Sequence, residues 1–234
     1  MNRTHFAAIL VLFMLFITAC VKTPASKASR KILVDATKDG GVWWSPQSGG
    51  GGFSVNAEHQ GKKLANYLRS LGYQVDELPS GGVITWSQLK QYNKVIKAGS
   101  YGNYSSQELL AYDSFLSKRS SLMLLNEYLR GDQSDNLSEH LGLRMSGAID
   151  GTIIKFLPHP VTTGVTPVRY IAGSSVSTTI KNDKIIVLGW LDKNDEAVMG
   201  ILQHPTSKIF FIGDTNGIEE VPQPLVSNLV KWLY

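Results

Sequence analysis

A few residues of this chain have side chains that can do chemistry, and their spacing limits what each could do. Ser100 lies in Ala98-Gly99-Ser100-Tyr101-Gly102, close to the G-x-S-x-G turn that exposes a nucleophilic serine. That turn works when a helix starts at the serine, because its free N–H groups hold the oxyanion. Here the helix signal is the S-x-x-E capping box of Ser105 and Glu108, five residues further on, which argues against a serine nucleophile. His159, held between Pro158 and Pro160, could move a proton or simply hydrogen-bond the backbone. Asp35, Asp39, His59, Glu127 and Asp214 could surround a cation with oxygen and nitrogen. Neither H-x-x-x-H nor D-x-D-x-D-G spacing occurs, so no metal is expected. The glycines at 49–52 lack a following Lys-Ser/Thr and form a loop rather than a phosphate cradle.

The elements that would position these groups alternate between short apolar runs and helical patterns. Strands are expected at 31–36, 73–78, 94–98 and 121–126, the last continuously apolar as a strand buried on both faces would be. A helix capped by Asn56 carries Leu64, Leu68 and Leu71 and ends at Gly72. The capping box starts a second helix, with Leu109, Tyr112 and Leu116 on one side. The chain beyond residue 150 reads as strand-rich, closing on a helix at 224–233.

In open α/β sheets ligands sit beyond the carboxyl ends of the strands. That rule gathers Asp35, Lys38, Asp39, Trp43 and Trp44 after the first strand, and Ser100 and Tyr101 after the third. Asn126 and Glu127 follow the fourth strand, and Asp214 and Asn216 the last. His59 opens the first helix, where free N–H groups could meet an anion. Trp43 and Trp44 cannot both point into one core. Either one offers a flat face to a sugar ring or peptide, or the pair plugs its loop onto the domain.

The amino terminus has its own logic. Arg3 precedes an apolar run at residues 6–17, which is signal-peptide length and too short to span a bilayer. Ile17-Thr18-Ala19-Cys20 follows, and the chain then turns polar and basic. This tetrapeptide resembles the lipobox of bacterial lipoproteins. The resemblance implies cleavage before Cys20, acylation of that cysteine, and attachment to a lipid bilayer. Val21 is not the aspartate that retains such proteins at the inner membrane, so the outer membrane, on its periplasmic face or surface, is favoured. The expected organisation is a signal peptide at 1–19, a lipidated tether at 20–30 and one domain at 31–234. Cys20 is the only cysteine, so the mature domain has no thiol. The net charge is +4, with Lys62, Lys63, Lys90, Lys94, Lys97, Lys118, Arg119, Lys181 and Lys184 scattered along the chain. Read as a solvated surface, that pattern argues against nucleic acid as a partner.

Four phrases occur in order along the chain: Ile32-Leu33-Val34-Asp35, the run from Gly61 through Leu64, Tyr67, Leu68 and Leu71 to Gly72-Tyr73, Pro158-His159-Pro160, and Ile209-Phe210-Phe211-Ile212-Gly213-Asp214 before a helix bearing Trp232. Together they resemble the class I glutamine amidotransferase-like fold, and within it the ThuA-like branch. The resemblance implies a flavodoxin-like three-layer sandwich with a mostly parallel central sheet and a strand-rich C-terminal half. Amidotransferases of this fold need a cysteine after a central strand. Here Asn126-Glu127-Tyr128 stands there, so thiol-dependent glutamine hydrolysis is excluded. The leading expectation is a non-catalytic envelope domain, without cofactor, that binds a glycan or envelope protein. The alternative is a hydrolase acting on glycans or esters through Asp35, Glu127 and His159.

Overall fold

The computed structural model describes residues 30–39, 60–129, 135–176, 183–219 and 223–234. Cys20, Trp43, Trp44 and His59 lie outside the described residues, as does the side chain of Asn216. No described helix is long and apolar enough to cross a membrane.

Nine strands form one sheet in the order β2-β1-β3-β4-β9-β8-β7-β5-β6. The first half alternates strand and helix: β1 (Lys31–Asp35), α1 (Gln60–Ser70), β2 (Gln74–Leu78), α2 (Trp86–Leu89), β3 (Lys94–Ala98), α3 (Ser106–Leu116), β4 (Ser121–Leu125) and α4 (Asn136–His140). The second half is mostly strand: β5 (Met145–Phe156), β6 (Val168–Val176), β7 (Ile185–Leu191), β8 (Ala197–Gln203) and β9 (Lys208–Ile212). Then come α5 (Asn216–Glu219) and α6 (Pro224–Leu233).

The expectation of a mostly parallel, flavodoxin-like sheet is overturned. Pairings from β2 through β1, β3 and β4 to β9 are parallel, whereas β9-β8, β8-β7, β7-β5 and β5-β6 are antiparallel. The cause is connection length. A parallel return needs a crossover of a dozen or more residues, but only residues 192–196 separate β7 from β8, and 204–207 separate β8 from β9. Such links can only fold the chain straight back.

Helices cover both faces. Ile32, Val34, Phe210 and Ile212 point to the side packed by Leu64 and Leu68 of α1 and Leu225 and Leu229 of α6. Leu33, Ile209 and Phe211 point to the side packed by Leu89 of α2, Tyr112 and Phe115 of α3, and Leu137 of α4. This period-two division makes β9 apolar at both Phe210 and Phe211. Lys94 and Lys97 correct the solvated-surface reading: they are 6% and 0% exposed.

Candidate functional site

The carboxyl ends of β1, β3, β4 and β9 carry three connected polar clusters. The first surrounds Asp35, which is fully buried. Its Oδ2 accepts from the hydroxyls of Tyr104 (2.9 Å) and Tyr112 (2.6 Å). Its Oδ1 accepts from the backbone N–H (3.0 Å) and hydroxyl (2.6 Å) of Thr37. Burial, then the charge of Asp35, holds both tyrosine pKa values well above the usual phenol range, so both remain donors. Four donors fill the carboxylate, which therefore fastens the β1 end to α3 rather than offering a base.

The second cluster was not visible in the sequence reading. Lys97 Nζ meets Asp135 Oδ2 at 2.8 Å, Asn126 Oδ1 at 2.9 Å and Ser100 Oγ at 3.2 Å. Asp135 caps α4, accepting from the N–H and hydroxyl of Ser138. Asn126 Nδ2 reaches Ser138 Oγ and Met145 Sδ, each at 3.2 Å. Asp135 Oδ1 is buried without a partner among the described residues. A lysine between two central strands must find a counter-charge or lose its own. Once β3 is placed inside the sheet, Lys97 in K-V-I-K-A signals such a partner, but nothing local points to Asp135, 38 residues away.

The third cluster joins β4 to β9. Glu127, 1% exposed, accepts through Oε1 from the Thr215 N–H (3.2 Å) and hydroxyl (2.8 Å). Burial, reinforced by the Asp214 charge, pushes its pKa up to about 8. Asp214, also buried, accepts the Ile171 N–H at 2.6 Å, fastening β6 over the end of β9. Among the described residues no three acidic, histidine or cysteine side chains are grouped to hold a metal.

Few of the sequence candidates are open to solvent. Asp35, Asp39, Asn126, Glu127 and Asp214 form a buried floor. Ser100 is partly exposed, with its hydroxyl on Lys97 and Asn126. Tyr101 is 40% exposed and packs edge-on against Tyr128, which the sequence reading did not single out as a site residue, with ring centroids 5.8 Å apart. Gly99 lets the chain after β3 press against the chain after β1: a Cβ there would lie 2.2 Å from Asp39 Cα.

His159 is elsewhere. Its ring packs on Trp232 at 5.5 Å, and Trp232 in turn lies 5.5 Å from Nζ of Lys208, the first residue of β9. Asp214 follows the opposite end of that strand, roughly 20 Å away at about 3.3 Å per residue. His159 Nδ1 accepts the Val161 N–H at 3.2 Å, and burial lowers its pKa. It shapes the loop that Asn228 of α6 also binds.

No family model matches the chain, and no curated protein matches it in sequence. Solved structures do share its architecture. The mmIFT52 N-terminal domain superposes with a TM-score of 0.64 at 14% identity, covering 87% of this chain and 96% of that one. A ThuA-like protein from Bacteroides uniformis gives 0.57 at 15% identity, covering 91% and 94%. A β-galactosidase from the Antarctic haloarchaeon Halorubrum lacusprofundi gives 0.56 at 11% identity, covering 88% of this chain and 30% of that one. Identities this low carry fold and not activity. The chain has a fold that ThuA-like proteins also adopt.

Proposed function

We propose that this chain is a lipid-anchored lipoprotein of the bacterial envelope whose domain binds a glycan or envelope component without transforming it. The observation that carries the reading is that the groups best placed to act as bases are already engaged. Asp35 already accepts four hydrogen bonds, and the Lys97 ammonium faces a carboxylate. Ser100 thus has an ammonium beside it instead of a base. What remains accessible is the Tyr101–Tyr128 rim, in which the two rings pack edge to face and an exposed, amphipathic Tyr101 is suited to stacking on a sugar ring. In sequence, Trp43 and Trp44 follow shortly after the carboxyl end of β1.

Two measurements test the two parts. For the anchor, mass spectrometry of protein made in a bacterial host should find residues 1–19 removed and a diacylglycerol thioether on Cys20. An uncleaved, unmodified terminus overturns it. For recognition, retention on peptidoglycan fragments should fall by roughly tenfold or more in Tyr101→Ala, Tyr128→Ala, Trp43→Ala or Trp44→Ala. Retention unchanged in all four, or absent from the parent protein, overturns it.

One observation favours hydrolysis instead: Glu127 keeps its proton near neutrality, as a general acid must. That reading requires turnover of a glycan or ester that disappears in Glu127→Gln. It proceeds without His159, which stands at the other end of the sheet.

A further inference from the structure

Charge is sorted along the strand direction. The carboxyl ends of the parallel strands gather Asp35, Asp39, Glu127, Asp135 and Asp214. The amino ends are reached by the turns at 69–74, 90–94, 117–121 and 204–208, together with 30–31 and 231–234. These six segments contain lysines and arginines but not one Asp or Glu; the carboxylates that reach them from neighbouring elements are Asp76, bonded to Gln74 and Tyr92, and Asp113, near His204. Arg30, Arg69, Lys90, Arg119, Lys208 and Lys231 are exposed there. Complementing helix carbonyl ends accounts for Arg69 and Lys231, in the last turns of α1 and α6. It does not require carboxylates to be missing from all six segments.

Within this end lies a cleft of about 380 Å³ lined by Lys94, Arg119, Lys208, Ser120, Ser121 and Tyr234 among others. The buried Tyr234 hydroxyl has no partner among the described residues. Leu71, 45% exposed, sits in the turn between α1 and β2 at the same end.

The chain enters the domain here as well. Arg30 lies beside Gly72, and β1 begins at Lys31. Only residues 21–29 separate Cys20 from Arg30, a reach of at most roughly 35 Å fully extended. An anchor on Cys20 would therefore keep this end within roughly 35 Å of the bilayer.

We infer that the amino-terminal end of the sheet is a docking face for anionic phospholipid headgroups, which seats the domain with its strand-end crevice pointing away from the membrane. The inference rests on the anchor reading for its orientation, but the charge pattern and cleft stand without it. Cations within about a Debye length of an anionic leaflet are each worth roughly fivefold in binding, and the effect fades with salt. The cleft supplies a site for a headgroup phosphate, which an ammonium and a guanidinium can hold together.

The test removes the lipid. Mature-length protein carrying Cys20→Ser is mixed with phosphatidylethanolamine–phosphatidylglycerol vesicles and with phosphatidylethanolamine–phosphatidylcholine vesicles, then sedimented. Binding to the anionic vesicles alone is expected, lost at high salt and reduced roughly a hundredfold by combined Arg119→Glu, Lys208→Glu and Lys231→Glu. The charge-matched set Lys62→Glu, Lys63→Glu and Lys193→Glu should bind nearly as the parent does, with unchanged melting showing that both sets fold. Equal binding to both vesicle types, or equal loss in both charge sets, overturns the inference. Full competition by millimolar inorganic phosphate also overturns it, in favour of a free-anion site. Vesicle binding with an unmodified Cys20 in cell-derived protein would sink the anchor and leave the docking face standing.

Discussion

Glu127 is protonated in the fold at pH values where a free glutamate is ionised, and that difference is a stability term. Its folded pKa, about 8, exceeds the free-glutamate value of 4.5 because burial and the Asp214 charge both disfavour the ionised form. The native state therefore holds more protons than the unfolded chain between those values. Stability is fully present below pH 4.5 and is lost as pH rises through 8. Glu127→Gln keeps an oxygen for Thr215 and cannot ionise. It should melt like the parent near pH 5 and be more stable at pH 8, by on the order of 2 kcal/mol, read from urea unfolding at both pH values. Lys97 and Asp135 make a different kind of pair, since neither can leave without stranding the other. Lys97→Met or Asp135→Asn alone should each cost about 3 kcal/mol. The double variant should cost clearly less than their sum, and a strictly additive urea cycle would refute the coupling.

Elements meet at the site through close backbone contacts and shared caps. Gly99 (φ +81°) has Asp39 Cα against it, whereas Gly81 (φ +77°) has open space. Both pay left-handed strain as alanine, about 1 kcal/mol, but only Gly99→Ala also drives the β1 and β3 ends apart. We expect Gly99→Ala to cost at least about 2 kcal/mol more than Gly81→Ala in chemical denaturation. Glu108 is a second junction. Besides closing the α3 capping box with Ser105, it accepts from the Ile84 N–H and from Lys38, each at 3.2 Å. Burial pushes its pKa up, but these donors more than offset that and lower it. Its contribution is thus present above the free-glutamate pKa and lost as pH falls through the depressed value. Glu108→Ala should destabilise by roughly 2 kcal/mol at neutral pH and by less in acid, again by urea titration.

At the scale of the molecule, the sheet is half parallel and half antiparallel, with β9 at its centre. Both kinds of neighbour protect that strand, so amide exchange should be slowest in β4 and β9 and fastest in the edge strands β2 and β6. Exchange that is uniform across the sheet would contradict the pairing. The charge separation is likewise a property of the whole fold. No stretch of sequence is strongly basic, yet four turns and both ends of the domain, none of which contains an acid, combine into one face with a basic excess, edged by the carboxylates of Asp76 and Asp113.

Local physics was readable from the sequence alone. The apolar runs gave β1, β3 and β4 nearly to the residue, and Ser105-x-x-Glu108 marked the start of α3. With Cys20 the only cysteine, residues 31–234 carry no thiol. Each of these depends on neighbours in the chain or on composition. Strand direction in the second half was implicit in the short links around β8, but a resemblance that promised parallel strands outweighed it. The partners of Lys97, Asp35 and Glu127 were not implicit anywhere, because they lie 38, 69 and 88 residues away. Only packing decides which distant groups share a buried, low-dielectric space. That space makes Glu127 hold a proton, makes a lysine look for a carboxylate, and leaves two tyrosines as the accessible rim.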